Sequence, residues 1–260
     1  MILAINSGNT HTLIGSVDKD GRAASVFQIP TDRSETEFGY AVKIREILTL
    51  QSINLADLRG AIVSCVVPPV TDILVRAVRL LIDVDALVVG AGIKTGLQLS
   101  INDPGTVASD IVAAAVAAKE GYPLPCVVVD MGTAIAMSVV NADGKYVGGS
   151  ILPGAGLSLE ALAREAALLP HVEITAPRTA IGVNTIDCMR SGIVYGTAGA
   201  IDGLLDRIAM ELDEAPASIV ATGNGCDAIT CHCRHQIEID QTLLLKGLRI
   251  IWDKNQRKRG

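Results

Sequence analysis

The chain has 260 residues, enough for two lobes or for one large α/β unit. With 49% apolar and 19% charged residues, it is neither a disordered chain, a collagen-like repeat nor a charge-rich coiled coil. A net charge of −6 and an aromatic content of 3% offer no electrostatic or stacking surface for a nucleic acid, and no apolar stretch is long enough to predict a membrane span. We therefore expect a folded cytoplasmic protein with six reduced cysteines and no nucleic-acid or membrane partner.

The first predicted elements are a strand, a polar glycine turn and a second strand. The first strand ends at Asn6, the turn is Gly8-Asn9-Thr10, and the second strand leads to an Asp20-Gly21 hairpin signal. Helical patterns then alternate with strand-like runs, which is typical of a largely parallel α/β layer. The predicted helices are residues 36–51, 70–82 and 108–120, and the predicted strands are residues 60–67 and 85–89.

The same pattern returns in the second half. Residues 126–144 give a strand ending at Asp130, a turn at Gly132-Thr133 and a second strand, and such self-similarity indicates a duplicated lobe. The elements predicted after it are helices near 156–168, 185–212 and 241–254, and strands at 217–222 and 236–239. Because Gly121–Pro125 is rich in glycine and proline, we place the boundary there, with lobes of residues 1–120 and 121–260.

We interpret both turns as phosphate-binding elements. Backbone N–H groups and hydroxyls collect where two strands meet at a small residue, and they can hold a phosphate oxygen. A carboxylate entering the turn would hold Mg²⁺ against the same phosphates. A single copy is also ordinary turn chemistry, but the duplication favours two turns that clamp a polyphosphate across a cleft. A third glycine turn, Gly223-Asn224-Gly225, is either a ligand contact or the plain entry to a helix.

Further motifs follow in order along almost the whole chain. They include Thr31-Asp32-Arg33, Asn102-Asp103-Pro104, Asp130-Met131-Gly132-Thr133, Pro153-Gly154, Asn184-Thr185 and Ala221-Thr222-Gly223. Together they resemble the type III pantothenate kinases, members of the acetate and sugar kinase, Hsp70 and actin superfamily. The resemblance implies an α/β fold of two duplicated ribonuclease-H-like lobes with an interlobe cleft, and ATP-dependent phosphorylation of pantothenate in the first step of coenzyme A biosynthesis. It also implies ATP, Mg²⁺, a monovalent cation (K⁺ or NH₄⁺) and a homodimer.

The resemblance further implies residue roles. Asp110 corresponds to the general base and Asp130 to the ligand of the monovalent cation. The residues implied to bind ATP are Asn6, Gly8, Asn9, Thr10, Gly132, Thr133, Thr222 and Gly223. Those implied to bind pantothenate are Lys94, Thr95, Gly96, Asn102 and, from the other subunit, Thr185. Without the resemblance, Asp110 or Ser109 is equally suited to cap a helix.

Several positions depart from the family pattern. Asn6 stands in place of an Asp, Ile111 in place of an Arg, and Ala114 in place of an Asn, while Ile135 and Ala136 replace hydroxyl-bearing residues. Asn6 keeps an acceptor oxygen but loses the charge that holds hydrated Mg²⁺. Three hypotheses therefore remain: a working pantothenate kinase, a weakened paralogue that serves as a ligand-binding accessory protein, and a kinase for another small hydroxyl substrate.

Two other features are interpreted from the sequence. Cys226, Cys231, His232, Cys233 and His235 are dense in soft ligands, but their spacing is poor for Zn²⁺, so a surface loop with Cys226 against the preceding strand is expected. Small residues at Gly192, Gly196, Gly199 and Gly203 predict that one face of helix 185–212 forms a two-fold interface, the alternative being packing on the sheet. The terminal basic residues, Lys254, Arg257, Lys258 and Arg259, are predicted to be the solvated end of the last helix.

Overall fold

The computed structural model describes residues 1–256, so Arg257, Lys258 and Arg259 of the predicted basic end lie outside the described residues. The chain forms two compact units. The first comprises Met1–Gly121 together with residues 241–256, and the second comprises Tyr122–Asp240. Within residues 1–256, no helix is both long and apolar enough to cross a membrane.

The first unit is built on a sheet with the strand order β3-β2-β1-β4-β5. The strands are β1 (Ile2–Ser7), β2 (His11–Val17), β3 (Ala23–Pro30), β4 (Ala61–Cys65) and β5 (Leu87–Val88). The first three are antiparallel neighbours, whereas β4 is parallel to β1 and β5 is parallel to β4. The remaining elements of this unit are α1 (Glu37–Leu50), α2 (Pro68–Ile82), β6 (Gln98–Leu99), α3 (Ser109–Gly121), α7 (Leu243–Gln256) and the 3-10 helices Leu55–Asp57 and Pro104–Thr106.

The second unit repeats this topology. Its strands are β7 (Cys126–Met131), β8 (Ala134–Val140), β9 (Lys145–Pro153), β10 (Ser218–Gly223) and β11 (Glu238–Ile239), and its helices are α4 (Ala155–Glu165), α5 (Thr185–Glu211) and α6 (Cys226–Thr230). The order β9-β8-β7-β10-β11, with β10 and β11 parallel to β7, reproduces the first sheet. The predicted α/β class and the duplication are therefore confirmed.

The end of the chain departs from the predicted boundary. Residues 241–256 group with the first unit, although the sequence assigns them to a C-terminal lobe of residues 121–260. The reason is the packing of α7 on α3, where a Cβ at Gly247 would come within 1.9 Å of the Ala113 carbonyl oxygen. The pattern of residues 241–254 predicts an amphipathic helix but not the sheet that it covers.

Candidate active site

The first turn, between β1 and β2, is held by a chain of hydroxyl groups. Ser7 Oγ lies 2.8 Å from Thr12 Oγ1, which lies 2.8 Å from Thr31 Oγ1. Thr31 Oγ1 donates in turn to the Gly8 carbonyl oxygen at 2.9 Å. Side chains from three positions thus fix the backbone beneath the predicted phosphate-binding tip, Gly8-Asn9-Thr10, in which Asn9 and Thr10 are exposed.

Asn6, which enters this turn, carries an unpaired buried acceptor. Its residue is only 6% exposed, and its Oδ1 has no hydrogen-bond partner within residues 1–256. A buried acceptor without a partner costs about 1–3 kcal/mol, so such atoms usually have a ligand or a water. The position therefore fits a bound group that donates hydrogen bonds, such as the water shell of Mg²⁺, but it brings no charge to that ion.

Asp110 lies at the same edge of the first sheet. In the parallel pair of β1 and β4, Asn6 is opposite Ser64. Ser64 Oγ lies 2.8 Å from the Oγ of Ser109, the first residue of α3. These contacts hold the start of α3 beside the end of β1, so the structure brings Asp110 to the edge at which Asn6 lies.

The carboxylate of Asp110 is partly removed from water. Burial raises the pKa of Asp110 above its ordinary value of 3.8, and the backbone N–H of Ile111, which donates to Asp110 Oδ1 at 2.8 Å, opposes the shift. Asp110 is the second residue of α3, so this hydrogen bond pairs one N–H of the first helical turn from inside the helix and not from the N-cap position. A desolvated carboxylate at the carboxyl edge of a parallel strand pair is a candidate general base, and this hydrogen bond fixes its position.

Backbone hydrogen bonds hold the second turn, Gly132-Thr133. The Gly132 N–H donates to Ala134 O at 2.9 Å, and the Gly154 N–H donates to Thr133 O at 3.0 Å. A Cβ at Gly154 would lie only 2.2 Å from the Gly132 carbonyl oxygen. The helix α4 begins directly afterwards at Ala155, and no side chain caps it. Its first N–H groups and its dipole therefore favour an anion near this turn.

Asp130 and Thr222 lie opposite each other on the parallel strands β7 and β10. Thr222 is 1% exposed, and its Oγ1 has no hydrogen-bond partner in the described part of the chain. The next residue, Gly223, has a φ of +97°, and a Cβ there would lie 2.1 Å from Met131 O. The third glycine turn thus closes on the end of β7, which requires glycine at this position.

A cavity of about 430 Å³ lies within the second unit, beside the second and third turns. This volume is in the range of small-molecule sites. Apolar side chains, Met131, Ile135, Leu159 and Ile229 among them, form much of its wall, and its polar side chains are Glu160, His171, Glu173 and Asn224. Sequence reasoning identified Ile135 only as a departure and missed residues 171–174 and Glu160, because neither belongs to a motif.

The segment Lys94-Thr95-Gly96 contacts α7 and α3. The Asn255 side chain accepts from the Lys94 N–H at 3.2 Å and donates to Lys94 O at 2.9 Å. Lys119 Nζ donates to Gly96 O at 2.8 Å, and nine helical residues place Lys119 about 13 Å along α3 from Asp110. The segment is therefore tied to α7 and to the Lys119 side chain of α3. Asn102 is exposed before the short helix that leads into α3.

The start of α5 and its glycines face outward. Thr185 is exposed, and Asn184 caps the helix by accepting from the Asp187 N–H at 2.9 Å. At Gly192, Gly196 and Gly199 an added Cβ would meet nothing within 4 Å, whereas at Gly203 it would lie 3.4 Å from Arg207. Packing on the sheet is therefore excluded for the first three glycines, which form an open face.

The cysteine-rich segment begins as the short helix α6 and continues as the expected surface loop, in which Cys231 and His232 are exposed. Cys226 begins α6 and is buried, as expected. The buried Asp202 carboxylate accepts from the backbone N–H groups of Arg234 at 2.8 Å and His235 at 3.2 Å. Burial raises the pKa of Cys233 to about 12. Within residues 1–256, no three or more His, Cys, Asp or Glu side chains are grouped to hold a metal ion.

Comparison with known proteins agrees with these observations. The family model described as type III pantothenate kinase matches residues 2–207. A type III pantothenate kinase of Halalkalibacterium halodurans is 38% identical over 255 residues, covering 98% of this chain and 100% of the relative. One from Brevibacillus brevis is 39% identical over 258 residues, with the same coverages.

Two solved structures share the fold. Component A of the (R)-2-hydroxyglutaryl-CoA dehydratase of Acidaminococcus fermentans matches with a TM-score of 0.59 and 14% identity, covering 99% of each chain. The activator of the 2-hydroxyisocaproyl-CoA dehydratase from Clostridium difficile, with bound ADPNP, matches with a TM-score of 0.58 and 11% identity, covering 100% of this chain and 98% of that one. At these identities the likeness is one of fold alone.

Proposed function

The chain belongs to the type III pantothenate kinase family, and from that premise we propose how its residues carry out the reaction. It is a kinase that transfers the γ-phosphoryl group of ATP to the primary hydroxyl of pantothenate, giving 4′-phosphopantothenate and ADP in the first step of coenzyme A biosynthesis. The observation that carries the residue assignment is the junction of Asn6, Ser64 and the start of α3, which holds Asp110 at the carboxyl edge of β1.

Asp110 orients the pantothenate hydroxyl and receives its proton. Phosphoryl transfer passes through a loose transition state in which the alcohol loses its proton late, so the carboxylate works mainly by positioning. Its raised pKa makes it a better proton acceptor than an exposed aspartate. Ile111, next to it, removes the charge that a family arginine would offer to the acceptor, so pantothenate is held by other contacts.

The two turns hold ATP through different groups. Asn9 and Thr10 bind phosphate oxygens with backbone N–H groups and the Thr10 hydroxyl, and Thr133 does so together with the uncapped start of α4. Gly8 and Gly132 shape the two turns, since their N–H groups donate to His11 O and Ala134 O. The nucleoside occupies the cavity beside Gly223, where the buried Thr222 Oγ1 is close to the third turn. When bound with ATP, Mg²⁺ neutralises phosphate charge. The residue that would hold its water shell is Asn6.

Asp130 holds the monovalent cation, K⁺ or NH₄⁺. Its carboxylate lies on β7 beside Thr222 of β10, at the strand ends from which the second and third turns start. A single carboxylate with neighbouring carbonyl and hydroxyl oxygens suits a weakly hydrated monovalent ion. Replacing K⁺ with Na⁺ in the assay tests this assignment, because a specific site should favour one ion over the other.

The protein acts as a homodimer in the cytoplasm. The open glycine face of α5 permits close approach of a second helix, and the neighbouring side chains Ile181 and Val183 are 82% and 90% exposed. Thr185 lies at the start of this surface, where a second copy brings it to the other active site. Sedimentation of wild type and Gly196→Leu should show a dimer and a monomer, respectively, and a monomeric wild type would contradict the dimer.

The kinase reaction itself is tested by ADP release coupled to NADH oxidation, with pantothenate, Mg²⁺ and K⁺ present. We expect pantothenate-dependent turnover and a product that is pantothenate plus one phosphoryl group by mass spectrometry. ATP binding without turnover would favour the accessory protein. Turnover with another hydroxyl acceptor, and not with pantothenate, would favour a changed substrate.

A further inference from the structure

The cavity of the second unit carries two carboxylates that none of the assignments above explains. Within residues 1–256, the side chains of Glu160 and Glu173 form no ion pair or hydrogen bond, and the residues described as lining the cavity include no lysine or arginine. An acidic lining without a cation repels phosphate, and it attracts groups that donate hydrogen bonds. The cavity therefore suits the uncharged, donor-bearing part of a nucleotide.

The position of Glu160 on α4 distinguishes it from Glu173. The helix starts at Ala155, against the Gly132-Thr133 turn, and it lines the cavity with Ala155, Gly156, Leu159 and Glu160. Glu160 lies five positions after Ala155, about 7.5 Å along the helix axis. A nucleotide with its phosphates at this turn and its nucleoside in the cavity would pass the first turns of α4, which carry Glu160.

We propose that the Glu160 carboxylate accepts hydrogen bonds from the ribose hydroxyls of ATP and so selects ribonucleotides over 2′-deoxyribonucleotides. This assignment rests on the placement of ATP under the proposed function. A carboxylate can accept from both vicinal hydroxyls at once, and a charged acceptor strengthens each bond. The apolar residues Leu159, Val172 and Ile174 also line the cavity and would pack against the base. This explains why only part of the cavity wall is acidic.

The test is calorimetric titration of ATP and 2′-deoxy-ATP into wild type and Glu160→Ala, with steady-state KM values for both nucleotides and for pantothenate. Wild type should bind ATP about tenfold more tightly than 2′-deoxy-ATP, as expected for one lost hydrogen bond to a charged group. In Glu160→Ala the two affinities should agree within about twofold while the KM for pantothenate stays unchanged. Alanine is the best helix former, so α4 should persist.

Two matched variants separate this role from general charge. Glu165 lies on the same helix, outside the cavity and paired with Arg164 at 2.9 Å, so Glu165→Ala should keep the wild-type preference. Glu173→Ala should keep it too, and loss of preference there instead would assign the ribose to Glu173 and overturn the proposal. The proposal would also be overturned if Glu160→Ala lost affinity for ATP and 2′-deoxy-ATP equally, or if an active wild type bound the two nucleotides equally well. A wild type that binds neither nucleotide would overturn the proposed function as well.

Discussion

The two strand–turn–strand repeats share one topology and differ in what supports their turns. In the first, the hydroxyls of Ser7, Thr12 and Thr31 form a chain beneath the tip. In the second, the backbone of Gly154 packs onto Gly132-Thr133, and the Gly154 N–H donates to Thr133 O. The comparison shows that the two copies of a duplicated fold can keep the same strand order and direction while different groups stabilise their turns.

The charges at the two turns also differ. The residue entering the first turn is the neutral, buried Asn6, whereas the residue entering the second is Asp130. The catalytic carboxylate that we assign, Asp110, belongs to the first unit but comes from a helix outside the repeat. In the second repeat Ile135 and Ala136 supply no hydroxyls, and the helix α4 begins directly after Gly154, which packs on the turn.

The largest expected effect is on catalysis, which we assign to the first unit, with little effect on the nucleotide binding that we assign to the second. Asp110→Asn should lower kcat by about 100- to 10,000-fold, the usual contribution of a general base, with little change in ATP affinity by calorimetry. Because burial raises the pKa of Asp110, ionising it in the folded protein is unfavourable, so the variant should also unfold at a higher temperature at neutral pH.

The raised pKa of Asp110 also determines how kcat should change with pH. As pH falls through the raised pKa, Asp110 becomes protonated, so kcat should decline at a pH above the ordinary aspartate range. Asp110→Asn should remove this limb of the profile. A variant with kcat within a few-fold of wild type would exclude Asp110 as the base.

The next prediction concerns the backbone contacts that support the second turn. Gly154→Ala would place a Cβ 2.2 Å from Gly132 O, so the turn must move. We expect the free energy of unfolding in urea to fall by about 1–3 kcal/mol, as for overpacked sites, with weaker ATP binding. Gly156→Ala is the matched control for stability, since its Cβ meets nothing within 4 Å. Equal stabilities would show that the turn does not depend on Gly154.

Removing one hydroxyl from each unit sharpens the comparison. Thr12→Val breaks the chain between Ser7 and Thr31 and should lower the free energy of unfolding by about 1–2 kcal/mol. Thr222→Val removes an unpartnered buried hydroxyl and should be neutral or stabilising, while it weakens ATP binding. Urea unfolding of the two variants checks both signs, and a similar loss in both would contradict the distinction.

The smallest effect is expected from the substitution that restores a negative charge at the first turn. Asn6→Asp should tighten Mg-ATP binding several-fold, because a unit charge about 4 Å from the ion is worth on the order of 4 kcal/mol at an effective dielectric near 20, before solvent compensation. Ile111→Arg is the comparison variant and should act on the KM for pantothenate instead. Unchanged Mg-ATP affinity and rate in Asn6→Asp, with an active wild type, would show that the amide suffices.

The sequence predicts the parts of this molecule that depend on local pattern. The turns at Gly8 and Gly132 and the helix beginning near Asp110 follow from glycine, capping and periodicity, and the duplicated motif indicates two lobes. The packing of α7 on the first unit depends on the contact of Gly247 with Ala113, and no local sequence pattern predicts that contact. The place of Lys94-Thr95-Gly96 likewise depends on contacts with Asn255 and Lys119, which are remote in the chain or at the far end of a helix.

The route of the chain has a consequence for protein synthesis. The second unit is continuous from Tyr122 to Asp240, and the Tyr122 hydroxyl donates to Asp240 Oδ2 at 3.0 Å, so its two ends adjoin and it can fold as it leaves the ribosome. The first unit must wait for α7, whose buried face packs on α3 and β1. At about 5–20 residues per second, that wait lasts on the order of ten seconds. A nascent first unit therefore exposes apolar surface that chaperones can bind, and the lobe that is translated first is the last to be completed.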